Sequence, residues 1–409
     1  MEQNRVGGDL VDSARADVAV IGGGIIGSCV AFYLTKKGAD VIVLDPAPGQ
    51  GASAGNAGML VPSQSVPFAN LTTVGAWLSA LAHRDSTISF RRPLPLNLLP
   101  WFAHLALGAR PGRTRRTTRL LYELSTKSLR LYGELAETEG IELHMRSTGS
   151  LRVFRSAAGL RRQHRALRTL AGFGAEFEVL GPRALRRAEP DLCAGLAGAV
   201  SFPRDRSLDP ERAAAAIADA ARAQGARFRA ERVVGARRAG GRVDLVHTDR
   251  GTVRAGWFVV AAGAASARVG RLLGVRLPVR AGYGLSVTYP TEGPLLRHAV
   301  MLQEEHVVLN SRARSVRLTT GMEFGGTAHD QPCADAVRRL DAVSRAYVPT
   351  LPPRDTADAP WRGARPMTPS GVPCVTRVAD NVIAATGHGT LGMTLGPVTG
   401  QLVGSLVPR

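Results

Sequence analysis

Cysteine is scarce. The 409-residue chain has four, Cys29, Cys193, Cys333 and Cys374, far apart and without a C-x-x-C pair. That spacing argues against a disulfide framework and a zinc site, so no metal is expected, and it fits a reducing cytoplasm. Acidic residues are also in deficit: 33 Asp and Glu face 52 Lys and Arg, a formal charge of +19. The surplus is mostly arginine, densest at 110–119, 152–168 and 227–242. Three readings stay open for it: a solvated surface, a steering field for anionic substrates, or adhesion to an anionic surface at the inner face of a membrane. No nucleic-acid motif accompanies the charge, so no nucleic-acid partner is expected. Long apolar runs are missing too. Only residues 18–34 imitate a signal peptide or a membrane span. Their glycines and the preceding Asp17 read instead as strand, turn and helix. Internal repeats are absent. The length suffices for two domains with large cores.

What is present is organised around residues 18–27, VAVIGGGIIG, followed by the strand VIVL at 41–44 and Asp45. Gly22, Gly24 and Gly27 fit G-x-G-x-x-G. The first glycine permits a sharp turn, the second lets a pyrophosphate approach the backbone, and the third lets the helix lie close on the sheet. Phosphates are favoured at the helix N-terminus by free N–H groups and the helix dipole. Asp45 stands where a ribose-binding carboxylate is expected. The pattern predicts dinucleotide binding in an α/β fold.

Residues 1–16 read as a disordered tail. After Asp45 comes a small-residue loop to Leu60, in which Ser53 and Asn56 supply polar groups without bulk. Helical spacing dominates 71–135, broken by Pro93, Pro95 and Pro100, and suggests a helical cap. Asp209-Pro210-Glu211 reads as the start of a helix with Asp209 as its N-cap. A buried strand is expected at 257–261, ending in Ala262-Gly263. Alternation over 277–324 predicts an antiparallel sheet distinct from the nucleotide-binding one. The chain closes on WRGARPMTPSGVP at 361–373 and TGHGTLGMT at 386–394, where a strand again meets a Gly-rich turn and a helix.

This order of features resembles the FAD-dependent D-amino-acid oxidase superfamily, especially the D-amino-acid dehydrogenases, hydroxyproline dehydrogenases and glycine oxidases. The resemblance covers about Asp17 to the C-terminus and is most specific at 53–60, 363–373 and 386–394. It implies a Rossmann-like FAD-binding domain (17–70, 200–275 and 359–409) with an interposed antiparallel-sheet substrate domain carrying a helical cap (71–199 and 276–358). By the same resemblance, Gly22, Gly24, Ile25, Ile26, Gly27 and Asp45 hold the ADP half of a non-covalent FAD, with Val234, Ala262 and Gly263 nearby. Ser53, Asn56, Ala57, Gly58 and Met59 line the flavin. Gly387, His388, Gly389, Thr390, Leu391, Gly392, Met393 and Thr394 bring a helix N-terminus to its pyrimidine edge. N–H groups aimed there stabilise negative charge arriving on the ring.

Arg365 is implied as the partner of a substrate carboxylate, which a guanidinium fork matches bidentately. Tyr283 and His388 are further catalytic candidates; Leu285 and Met393 join Arg365 around the substrate. The chain departs from the family pattern in three places. Leu285 replaces a Tyr in Gly-Tyr-Ser, with Tyr283 two residues earlier on the same strand face. Ser370 replaces an Asp, and Met393 a Trp. The implied reaction is oxidation of the C–N bond of an amino acid or cyclic imino acid to the imine, by hydride transfer to flavin N5. The acceptor that reoxidises the flavin, O2 or a quinone, stays open. A flavin-dependent tailoring oxidase acting on an amine or imine of a larger molecule is the alternative.

Overall fold

The computed structural model describes residues 12–82, 88–91, 98–327 and 330–408. Pro93, Pro95 and residues 1–11 of the expected tail lie outside them. Two sheets carry the architecture. In the first, strand Asp12–Ile21 lies between Val41–Leu44 and Gly251–Val260, parallel to both. Val382–Thr386 pairs parallel on the far side of Gly251–Val260. Val18, Ala19, Val20 and Ile21 are all buried, as a parallel strand covered on both faces requires. Alternate residues serve opposite cores: Val18 and Val20 pack with helices Ile25–Thr35 and Pro210–Ala223, while Ala19 and Ile21 pack with Val246, Val260 and Val269. Asp209 caps its helix as expected, accepting from the N–H groups of Glu211 and Arg212.

The first strand begins earlier than expected. Residues 12–16 pair in register with 251–255, and Ala16 is buried, so this part of the expected tail is sheet. Nothing in its local sequence announces a strand; the partner is more than 200 residues away.

Among the described residues the second sheet has nine strands. Strand Arg280–Pro290 pairs antiparallel with Ser315–Phe324 on one side and Trp361–Met367 on the other. The sheet continues through Val307–Ser311, Ala299–Leu302, Ser150–Phe154, Gly198–Phe202 and Glu178–Leu180. It is antiparallel apart from two parallel pairings, Ala299–Leu302 with Ser150–Phe154 and Ser315–Phe324 with Ile88–Phe90. The expected domain boundaries at 200 and 359 are therefore misplaced. The first cuts through strand Gly198–Phe202, and the second gives Trp361–Met367 to the wrong sheet.

Helices Leu71–Ala82, Leu99–Gly108 and Pro111–Glu137 occupy the segment with helical spacing. Leu99–Gly108 buries Trp101, Phe102 and Leu105 against an aromatic cluster that includes Phe324. The 27-residue helix Pro111–Glu137 ties this segment to the cofactor side, where the Tyr132 hydroxyl donates to the Met393 carbonyl at 2.6 Å.

Candidate active site

Two adjoining cavities lie between the sheets. The larger, about 460 Å³, runs from the glycine turn to the last helix and is bordered by Gly22, Gly24, Asp45, Ala262, Arg365 and His388. The smaller, about 150 Å³, is bordered by Met59, Val61, Gln64, Met301, Val308 and Thr390. Asn56, Trp361, Gly363 and Arg365 border both.

The larger cavity has the chemistry of a dinucleotide cradle. Gly22 turns at φ +115°, and helix Ile25–Thr35 starts three residues later. A Cβ on Gly24 would meet only Ser53 Oγ, at 3.2 Å, so the space in front of that glycine is free for a ligand. Asp45 Oδ2 accepts from the Gly23 N–H at 2.6 Å and Oδ1 from the Ala47 N–H at 2.8 Å. A carboxylate offers about four lone-pair sites, so two remain for ribose hydroxyls. Ile26, Ala262 and Gly263 also border this cavity. Ser53 does more than line it: its Oγ accepts from the Ile25 N–H at 3.1 Å, capping the helix from another segment. At the far end, helix Gly392–Leu406 opens on the cavity after turns at Gly387 and Gly389. His388 Nδ1 is buried without a partner among the described residues. A cofactor lying along this wall would supply the missing group, and the donor set fits FAD.

Several expected positions are displaced. Val234 is 48% exposed, and its neighbour Val233 borders the cavity instead. A one-residue slip on a strand reverses the face. Gly58, Leu391 and Thr394 border neither cavity. Gly58 is required by the loop itself, at φ +77° with a prospective Cβ 2.2 Å from the Leu208 carbonyl oxygen. Leu391 packs beside Met59 and Leu395. Thr394 Oγ1 joins the Val61 N–H and the Met59 carbonyl, fastening the last helix to the loop. Gly387 is likewise a turn residue, with Thr368 against it. Met393 borders the cofactor cavity but packs into the core with Ile25 and Tyr132, so it does not shape the smaller cavity.

The substrate-facing strand also presents the opposite face from the one expected. Gly282 lies opposite Arg365, Gly284 opposite Gly363, and Ser286 opposite Trp361. Residues directly opposite share a face. The face with Arg365 and Trp361 is thus that of Gly282, Gly284 and Ser286. Tyr283 and Leu285 belong to the other. Arg362 lies 3.6 Å over the Tyr283 ring, and Tyr283 borders neither cavity. Leu285 touches the smaller cavity but packs in the apolar cluster of Val287, Leu318 and Leu340.

Arg365 does reach the junction. Its Nη1 donates to the Gly321 carbonyl at 2.7 Å, and no carboxylate pairs with it among the described residues. Burial pulls its pKa down to about 10, leaving it charged at neutral pH. Gly284 makes its room: a Cβ there would lie 2.2 Å from Nη1. His388 is held by Thr399 Oγ1 at 2.9 Å from Nε2, and burial depresses its pKa to about 3. A general base needs a pKa near the working pH, so this depression argues against that role for His388. Sequence reasoning missed Trp361. Its ring lies between Gly55 and Gly363, where a Cβ on either would fall within about 2 Å of it. Those two glycines, far apart in sequence, were the available signal.

Comparison with known proteins gives the family and the fold. The family model described as DAO, FAD dependent oxidoreductase, matches residues 17–406. The D-amino acid dehydrogenase of Rhizorhabdus wittichii is 30% identical over 400 residues, covering 95% of each chain. Glycine oxidase from Geobacillus kaustophilus superposes with a TM-score of 0.74 at 26% identity, covering 96% of this chain and 95% of its own. L-proline dehydrogenase from P. horikoshii gives a TM-score of 0.75 at 20% identity, covering 97% and 94%.

Proposed function

The chain belongs to the FAD dependent oxidoreductase family, and from that premise we propose that it oxidises the C–N bond of a free amino acid or cyclic imino acid to the imine. When bound, FAD supplies the electron sink for such a reaction. The observation that carries the substrate assignment is Arg365: a half-buried guanidinium at the junction of the two cavities, hydrogen-bonded to the Gly321 carbonyl but with no carboxylate partner among the described residues. A partly desolvated cation without a counter-charge is costly, and a substrate carboxylate supplies one. The smaller cavity takes the side chain. Its wall of Met59, Val61, Met301 and Val308 suits an apolar group, and 150 Å³ suits a small one. That volume favours a free amino acid over an amine carried on a larger molecule. A substrate panel with and without a carboxylate, scored by anaerobic bleaching of the flavin, tests this reading; equal bleaching by both classes would refute it.

No carboxylate or imidazole borders the smaller cavity among the described residues. The amine therefore enters neutral, having lost its proton to water. As pH rises the neutral fraction grows, so kcat/KM is expected to climb through the substrate's own ammonium pKa. His388, depressed to about 3, contributes no inflection between pH 5 and 8. Steady-state profiles for two substrates of different amine pKa check this: the inflection should move with the substrate, and a fixed inflection would point to a protein base.

The same proposal includes contact with an anionic membrane surface. Helix Leu99–Gly108 turns Leu99, Ala103, Ala106 and Leu107 to solvent on one face, with Leu99 47% and Leu107 53% exposed. Exposed Arg110, Arg113, Arg115 and Arg116 follow directly. Cations beside an apolar face suit an anionic bilayer, at about 1 kcal/mol per Arg near the surface. Co-sedimentation with anionic but not zwitterionic vesicles is expected, weakened by salt and by Leu107→Glu. No helix among the described residues is long and apolar enough to cross a membrane.

A further inference from the structure

Arg317, on strand Ser315–Phe324, is 7% exposed and stands behind the loop that borders both cavities. All three of its guanidinium nitrogens donate. Nε donates to Thr288 Oγ1 at 3.1 Å and Nη2 to Glu211 Oε1 at 2.8 Å. Nη1 donates to the carbonyl of Ala54, and to that of Asn56 at 3.2 Å. Asn310 Nδ2 takes the next carbonyl, that of Ala57, at 2.7 Å. Three loop carbonyls are thus drawn toward the second sheet.

The planar trans peptide gives this arrangement a consequence. Each carbonyl and the following N–H point in opposite directions. Drawing the carbonyls of Ala54 and Asn56 back onto Arg317 turns the N–H groups of Gly55 and Ala57 the other way. Both residues border the smaller cavity. Neither N–H donates to a protein group among the described residues, whereas the N–H of Gly58 is taken by Asn56 Oδ1 at 2.8 Å. Two free amides therefore sit on the wall of the smaller cavity, on either side of Asn56, which borders both cavities, and one buried arginine fixes them. Glu211, at the start of helix Pro210–Ala223, holds Arg317 and lies 3.7 Å from Arg312.

We infer that Arg317 is a positioning residue for the cofactor. By fixing this loop, whose Ser53 and Asn56 border the cofactor cavity, and turning the amides of Gly55 and Ala57 into the adjoining smaller one, it sets how tightly FAD is held and how easily it is reduced. Preorganised N–H donors favour the more negative, reduced form without reorganising. The inference rests on the cofactor and not on the substrate assignment, so its test uses no substrate.

Apoprotein is titrated with FAD, and the bound flavin is characterised by its visible spectrum and its reduction potential against a reference dye. Arg317→Ala is expected to weaken FAD binding about tenfold or more, the scale of one lost charge-assisted hydrogen bond. It should also shift the visible band and make the potential more negative. Arg317→Lys, a point charge without the fork, should recover part of each effect, and it serves as the reading if the alanine variant does not fold. Glu211→Gln leaves the carbonyl contacts of Arg317 in place. It should lower thermal stability while keeping the wild-type spectrum and potential. Wild-type affinity, spectrum and potential in both Arg317 variants would overturn the inference. So would a Glu211→Gln variant that reproduces the Arg317→Ala shifts, because the ion pair and not the turned amides would then be responsible.

Discussion

Arg365→Ala is expected to raise KM for carboxylated substrates by about 10²-fold or more, with the flavin still bound. Truncating one partner of a buried, hydrogen-bonded charge pair costs about 2–5 kcal/mol, largely because the other charge is left unpaired. Here the substrate carboxylate would enter the junction without a counter-charge. Amines lacking a carboxylate should lose little, and that contrast separates substrate recognition from general damage. Arg365→Lys should fall between, since an ammonium cannot reproduce the planar fork.

A second variant isolates geometry from charge. Gly284→Ala puts a methyl 2.2–2.4 Å from the Arg365 guanidinium, which is the far end of a flexible side chain and can move. The charge survives but is displaced. KM for carboxylated substrates should rise with little change in thermal stability. Initial rates for a matched pair, an amino acid and its decarboxylated amine, check both variants. Equal losses on the two substrates would remove Arg365 from carboxylate recognition. The pH dependence adds a sign. With a pKa near 10, Arg365 stays charged through neutrality, so its contribution should fade only in strongly alkaline solution, where the neutral guanidine no longer pairs.

The parts of this site that were legible in the sequence are those in which neighbouring residues agree with one another. Gly22 to Asp45 reads correctly because strand, turn, helix and second strand each carry their own local signal, and Asp209 reads as a cap because its partners are two and three residues away. The parts that were not legible depend on pairing between distant segments. The face of strand Arg280–Pro290 is decided by its register with Trp361–Met367, about 80 residues on, which places Gly282 opposite Arg365. Read alone, the strand offers Tyr283 and Leu285 through the resemblance to Gly-Tyr-Ser, and both belong to the far face. Val234 fails for the same reason at a distance of one residue. Arg317 is one arginine among many in composition. Only the fold shows that it is buried against a loop more than 250 residues earlier.

That division between local and distant constraints also predicts how the glycine turn will respond to mutation. Gly22→Ala should remove FAD and destabilise the fold together. Its φ of +115° is one an L-residue rarely adopts, and a Cβ would lie 2.4 Å from the carbonyl oxygen of Ala261 and 2.8 Å from Cα of Ala262. Neither neighbour yields easily, because both follow directly on strand Gly251–Val260 and the Ala261 N–H is bonded to the Ile21 carbonyl at 2.8 Å. Strain of about 1–3 kcal/mol from the backbone alone, before the clash, is a large part of a domain's stability. Gly24→Ala should behave differently. Its backbone is ordinary, and the only neighbour within 4 Å of a prospective Cβ is Ser53 Oγ, at 3.2 Å. The fold should persist, while the methyl occupies the space a pyrophosphate needs. Purified Gly24→Ala is thus expected to be folded but poor in flavin, and Gly22→Ala to be both colourless and unstable, by absorbance at the flavin band and by thermal unfolding of the apoproteins. If Gly24→Ala retained FAD with wild-type affinity, the pyrophosphate would have to lie elsewhere than against this turn.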